Sequence, residues 1–187
     1  MIFVITGLSG VGKSTILKAA QEELFKRTGE FISELRLVTD RPIRPSEFDG
    51  IDYFFLTKQE YSDFLSRNLF ATNEIIEVYQ DTWRYAVLTE FLSEDRIFAG
   101  SPEQVRQLKD FFNDEQSVIS INITVSEEER IKRILSRNDN QHEEEVKRRT
   151  IEDAIKYSNF KPDYEVSNDK TISDTANDVA DIIKKYI

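Results

Sequence analysis

An apolar run that ends in a glycine loop constrains this chain more than any other feature. Met1–Thr6 reads MIFVIT, the composition of a short buried strand, and Gly7–Ser14 follows as GLSGVGKS. Two glycines with four residues between them, then Lys and Ser, is the full spacing of a nucleotide-phosphate loop. Gly7, Gly10 and Gly12 permit tight turns and let the backbone approach an anion closely. Successive amides through Ser9, Gly10, Val11 and Gly12 can then turn inward, while Lys13 sets a cation over the phosphate being transferred. Ser14 supplies a hydroxyl for Mg²⁺ and Thr15 a second hydrogen bond to phosphate. The segment after the loop, through Lys26–Arg27, reads as a helix ending near Gly29, with its positive end facing the phosphates. Strand, glycine turn and helix together specify nucleotide binding, but the loop alone does not choose between kinase, hydrolase and switch protein.

Composition narrows the chemistry by exclusion. The chain has 187 residues, enough for one substantial core and short for two full domains. It lacks cysteine and has one histidine, His142. Disulfides, thiolate metal centres, a cysteine nucleophile and a histidine-rich metal site are therefore excluded. Against 25 Lys and Arg stand 35 Asp and Glu, a formal charge of -10. That field repels a polyphosphate backbone and argues against nucleic-acid partners, while local arginines can still build a pocket for one phosphorylated metabolite. No apolar run has the length of a membrane span, and the start of the chain does not read as a secretory leader. The expectation is a cytoplasmic enzyme, monomeric or homodimeric, without a membrane partner.

Strands are expected within Glu34–Thr39, Tyr53–Leu56, Glu74–Tyr79, Arg96–Ala99, Val118–Val125 and around Val166. Thr57 with Glu60, Ser101 with Gln104, and Ser126 with Glu129 have capping-box spacing, and Pro102 suits a first helical position. Thr82–Phe91 reads as a further helix, and Thr171–Tyr186 as one packing through Val179, Ile182 and Ile183. This alternation predicts a three-layer α/β fold with a mainly parallel central sheet. The whole of residues 1–187 is expected to form one domain, with 37–88 as an inserted acceptor-binding part and 136–150 as a lid.

Thr39–Phe55, TDRPIRPSEFDGIDYFF, is the second informative segment. Arg41 and Arg44 present planar forks suited to phosphate oxygens, and Tyr53 can add its hydroxyl. On residue types alone, a salt bridge for Arg41, solvent for Arg44 and a core role for Tyr53 are equally good readings.

GLSGVGKST, RPIRPSEFDGIDYFF, EIIEVYQDTWRYAV, the arginine-bearing Arg133–Arg149 segment and Ser167–Asp169 together resemble the guanylate kinase family of P-loop nucleoside-monophosphate kinases. The resemblance implies ATP and Mg²⁺ as donor and cofactor. It also implies transfer of the γ-phosphate to the phosphate of a nucleoside monophosphate, GMP or dGMP first. By the same likeness Arg41, Arg44, Tyr53 and Tyr85 hold the acceptor phosphate, and Arg137 and Arg149 are the lid arginines, with Arg148 as the adjacent alternative. Lys13, Arg41, Arg137 and Arg149 thus form the expected catalytic set, Arg133 and Asn168 join the donor site, and Glu74 or Glu77 reads the acceptor.

The pattern departs from the family where guanine would be read: Leu37, Ala86–Val87, Ala99 and Ser101 replace expected polar residues. Asp40 is a candidate for the missing acid near the metal. Ala99–Gly100–Ser101 also resembles the ribose 1,5-bisphosphate phosphokinases, which keeps a sugar-phosphate acceptor open. A P-loop ATPase and a non-catalytic binding module are further alternatives. The absence of an NKxD-like motif speaks against a GTPase.

Overall fold

The computed structural model describes residues 1–78, 81–136 and 143–187, with backbone only for Val78 and residues 143–149. Strand β1 (Ile2–Thr6) is buried along its whole length at the centre of a parallel sheet. The other strands of this sheet are β2 (Ser33–Glu34), β7 (Arg96–Ala99), β8 (Val118–Thr124) and β9 (Tyr164–Ser167), in the order β2-β7-β1-β8-β9. Ile2 pairs with Arg96 on one side and Val118 on the other.

A central parallel strand must be apolar on both faces. Phe3 and Ile5 accordingly pack with Ile16, Leu17 and Leu24 of α1 (Lys13–Thr28) and with Val179 and Ile183 of α6 (Ile172–Ile183). Ile2 and Val4 face the other way, onto Phe98 and onto Val105 and Leu108 of α3 (Pro102–Phe112). Truncating the fully buried Phe3 to Ala should cost about 3–5 kcal/mol.

Local signals set the helix boundaries. Gly29 ends α1 in a left-handed conformation, φ 76°, donating its N–H to the Phe25 carbonyl. Complete capping boxes open α2 (Lys58–Ser66), from Thr57 and Glu60, and α3, from Ser101 and Gln104. Thr171 caps α6 through the Asp174 amide. Ser126 precedes α4 (Glu127–Leu135) without a side-chain cap bond, and its N–H goes instead to Asp169 at 2.8 Å. Helix α5 (Glu143–Tyr157) follows.

A second, mixed sheet has the order β4-β3-β6-β5, from β3 (Val38–Thr39), β4 (Phe54–Phe55), β5 (Phe70–Val78) and β6 (Asp81–Leu88). Two expectations are corrected here. Glu34–Thr39 is not one strand: Ser33–Glu34 edges the parallel sheet and Val38–Thr39 joins the second, with Leu35–Leu37 crossing between them. The helix read at Thr82–Phe91 is the strand β6 followed by a short 3₁₀ turn, Thr89–Leu92. Trp83, Val87 and Phe91 have helical spacing, yet Trp83, Tyr85 and Val87 also alternate. Antiparallel pairing with β5, from Ile76 opposite Trp83 to Phe70 opposite Leu88, decides for the strand. Helix α2 closes this sheet with the fully buried Tyr61, whose hydroxyl donates to Asn73 at 2.9 Å.

Candidate active site

The turn from β1 into α1 is built of glycines because side chains do not fit. Gly7, Gly10 and Gly12 have φ of 142°, 90° and 97°. A Cβ on Gly7 would lie 2.5 Å from the Ile123 carbonyl oxygen, and one on Gly12 would lie 2.9 Å from Asn168 Nδ2. Lys13 folds back over the loop, donating to the carbonyls of Gly7 at 2.7 Å and Leu8 at 3.2 Å. Ser14 and Thr15 are exposed at the start of α1.

Behind the loop, the buried Asn168 donates Nδ2–H to the Val11 carbonyl at 2.7 Å. Arg133 reaches the same carbonyl at 3.3 Å and the Asn168 carbonyl at 3.3 Å. Both expected donor-site residues therefore brace the loop. Arg130, which the sequence reading missed, is buried and donates to the Ser9 carbonyl at 3.4 Å while paired with Glu127.

The second basic constellation forms at the small sheet. Arg41 is buried, and its Nη1 and Nη2 donate to the two Glu47 oxygens at 2.7 and 2.5 Å. The guanidinium lies 5.0 Å from the Tyr53 ring centre and 5.3 Å from that of Phe55, and Tyr53 packs edge-on against Tyr85 at 5.9 Å. Burial works to lower the Arg41 pKa, but its bonds to Glu47 and the neighbouring tyrosines outweigh this and raise it. Glu47 is the converse: burial works to raise it, and Arg41 with the Arg44 amide holds it below the ordinary carboxylate range. Burial pushes the Tyr53 and Tyr85 phenols up, with Arg41 pulling the other way. Arg44 has an exposed side chain and joins the cluster by its backbone N–H, 3.0 Å from Glu47. Glu47 was missed in the sequence, although it stands three residues from Arg44 and six from Arg41.

Glu74 sits on β5 opposite Tyr85, buried, accepting from Ser101 Oγ at 2.7 Å and Lys156 Nζ at 3.1 Å. Glu77 does not share this site: three positions along a regular strand puts it on the opposite face, exposed and across from Thr82. Asp40 spends its two oxygens on Arg84, at 2.7 Å to the amide and 2.6 Å to Nε, and is thereby tied to the sheet. Leu37 and Val87 are buried in the core. Arg137 lies outside the described residues, as do residues 137–142 of the expected lid. For Arg148 and Arg149 only the helical backbone of α5 is described.

A cavity of about 150 Å³ is lined by Ser14 and Lys18 on α1, by Leu37 and Ala99, and by Asp52 and Tyr53. Helix α5 reaches over the loop. Tyr157 accepts the Gly7 N–H at 2.8 Å and donates to the Gly7 carbonyl at 2.9 Å, while Asp153 accepts the Ser9 N–H at 2.7 Å. Burial pushes the Tyr157 phenol up, so it stays protonated and can donate. These residues lie 144 and 150 positions from their partners, with no local signal to reveal them.

A glycine loop between the central strand of a parallel sheet and its first helix, facing a second sheet across a polar cleft, defines a P-loop α/β protein. The guanylate kinase family model matches residues 1–186, and the chain belongs to that family. A 69-residue segment is 45% identical to the guanylate kinase of Mycoplasma genitalium, covering 37% of this chain and 27% of that protein. Against the guanylate kinase of Latilactobacillus sakei, identity is 37% over 68 residues, or 36% and 32% of the two chains. The matched segments thus span about a third or less of these relatives' length. The crystal structure of guanylate kinase from Anaplasma phagocytophilum superposes with a TM-score of 0.66 at 21% identity, covering 99% of this chain and 85% of that one. A sugar kinase from Janibacter sp. gives 0.51 at 12% identity over 98% and 94%. These two likenesses are of fold. No helix among the described residues is long and apolar enough to cross a membrane.

Proposed function

We propose that the chain is an ATP-dependent phosphotransferase that passes the γ-phosphate to the phosphate of a nucleoside monophosphate, GMP or dGMP first. The observation that carries this reading is one cavity lined both by Ser14 of the phosphate motif and by Tyr53, whose ring packs on Arg41. In-line transfer needs donor and acceptor phosphates in one cavity and no covalent protein intermediate. Residues 37–88 are the acceptor-binding part and 136–150 the lid in this reading, with Arg137 and Arg149 completing the charge around the transferred group.

The loop amides and Lys13 would hold the donor phosphates and align the γ-phosphate. Arg41, kept protonated at any working pH, and the Tyr53 and Tyr85 hydroxyls would orient the acceptor phosphate for attack. Glu74 would take hydrogen bonds from the acceptor's far end. Among the described residues no group of three or more acidic or histidine side chains gathers into a metal cage. The exposed Ser14 hydroxyl on the cleft fits Mg²⁺, which takes few protein ligands and fills its shell with phosphate oxygens and water. Bound there, the ion would neutralise charge on the donor phosphates.

The test is incubation with Mg-ATP and a panel of GMP, dGMP, the other nucleoside monophosphates and ribose 1,5-bisphosphate, following products by mass. The expected result is a nucleoside diphosphate and ADP in equal amounts. ADP without a phosphorylated acceptor would overturn the reading in favour of an ATPase, and ribose bisphosphate turnover alone would reassign the acceptor.

A further inference from the structure

Three side chains on one face of α5 are spent on groups that the proposed reaction needs. Asp153, Lys156 and Tyr157 stand at i, i+3 and i+4, so they project from the same side of the helix. Asp153 occupies the Ser9 amide, Tyr157 both backbone groups of Gly7, and Lys156 the Glu74 carboxylate. Backbone amides of a glycine loop attract anions, and the Asp153 carboxylate is an anion already in place. A second anion beside it meets both a missing donor and a like charge.

We propose that α5 is a built-in competitor for the donor phosphates, a latch holding the ligand-free chain closed at the loop and at Glu74 together. This rests on the reading of the loop as the donor nucleotide site. Binding of the donor requires Asp153 and Tyr157 to withdraw, and because Lys156 rides on the same helix, Glu74 is released in the same movement. Donor and acceptor then assist one another, since either ligand removes part of the cost of opening the latch for the other.

The experiment is calorimetric titration of the full chain with ADP, using the wild type, Asp153→Ala, Tyr157→Phe, Lys156→Met and Lys13→Ala, with circular dichroism to verify folding. Asp153→Ala should bind ADP on the order of 10-fold more tightly and Tyr157→Phe a few-fold more tightly. Lys156→Met is the discriminating variant. Simple loss of a positive charge would weaken binding of an anion, whereas a loosened latch tightens it a few-fold. The Ser9 and Gly7 amides should also exchange hydrogen faster in Asp153→Ala than in the wild type.

Lys13-dependent ADP binding by the wild type, with no gain in Asp153→Ala or Tyr157→Phe, would overturn the latch and leave the nucleotide site standing. Weaker binding by Lys156→Met would overturn the coupling of the two sites through α5. No ADP binding by any folded variant would overturn the nucleotide site and the latch with it.

Discussion

Replacing Arg41 by Met tests the acceptor cluster, because it keeps most of the volume and removes the fork. The Arg41 side chain is 3% exposed and that of Glu47 13%, with two parallel hydrogen bonds between them. Removing one partner of a buried pair costs about 3–5 kcal/mol, because the other charge is left without compensation. Glu47 keeps the Arg44 amide at 3.0 Å and some access to water, so the lower end, about 3 kcal/mol, is expected. For a chain of this length that is a fall in Tm of about 6–12 °C. Arg41→Met combined with Glu47→Gln removes both charges and should return to within about 1 kcal/mol of the wild type. Denaturant unfolding of the wild type, both single variants and the double variant measures the coupling, expected to be at least about 2 kcal/mol. Losses that add across the cycle, or a single-variant loss under about 1 kcal/mol, would refute the account of the cluster as a buried, mutually dependent pair.

Other consequences can be checked separately. Glu47 is held below its ordinary pKa of 4.5, so the stability it contributes is full above that pH and is lost as pH falls through the depressed value. The gap in unfolding free energy between wild type and Glu47→Gln should accordingly shrink below pH 4.5, and a gap that widens there would contradict the sign. Gly7→Ala places a methyl group 2.5 Å from the Ile123 carbonyl oxygen at a φ of 142°, and unfolding should become easier by at least about 2 kcal/mol. Lys13→Ala should cut phosphoryl transfer on the order of 100-fold or more in single-turnover assays, with circular dichroism verifying that the variant is folded.

Local chemistry carried much of the fold. The glycine loop, the Thr57 and Ser101 capping boxes and the Gly29 stop each depend on residues within a few positions of one another, and each is found where its spacing predicts. Strand β6 was misread because Trp83, Val87 and Phe91 satisfy two periods, and only its partner β5 breaks the tie. The same limit applies to the site. Arg41, Tyr53 and Tyr85 are named from the sequence and do come together, yet Arg41's main partner, Glu47, is not among the residues the sequence singles out. Glu74 and Glu77 are alternatives for reading the acceptor in the sequence, and strand alternation puts them on opposite faces. Asp153, Lys156 and Tyr157 carry no local signal, because their partners are fixed by how α5 crosses the loop.

The central claim is that the loop and the Arg41 cluster serve one transfer across one cleft. Single-turnover reaction of γ-labelled ATP with GMP in the presence of Mg²⁺ tests it most directly. The account predicts label in the β-phosphate of GDP, with transfer lost in Lys13→Ala and weakened in Arg41→Met. Label released only as inorganic phosphate, at a rate indifferent to every acceptor offered, would contradict it.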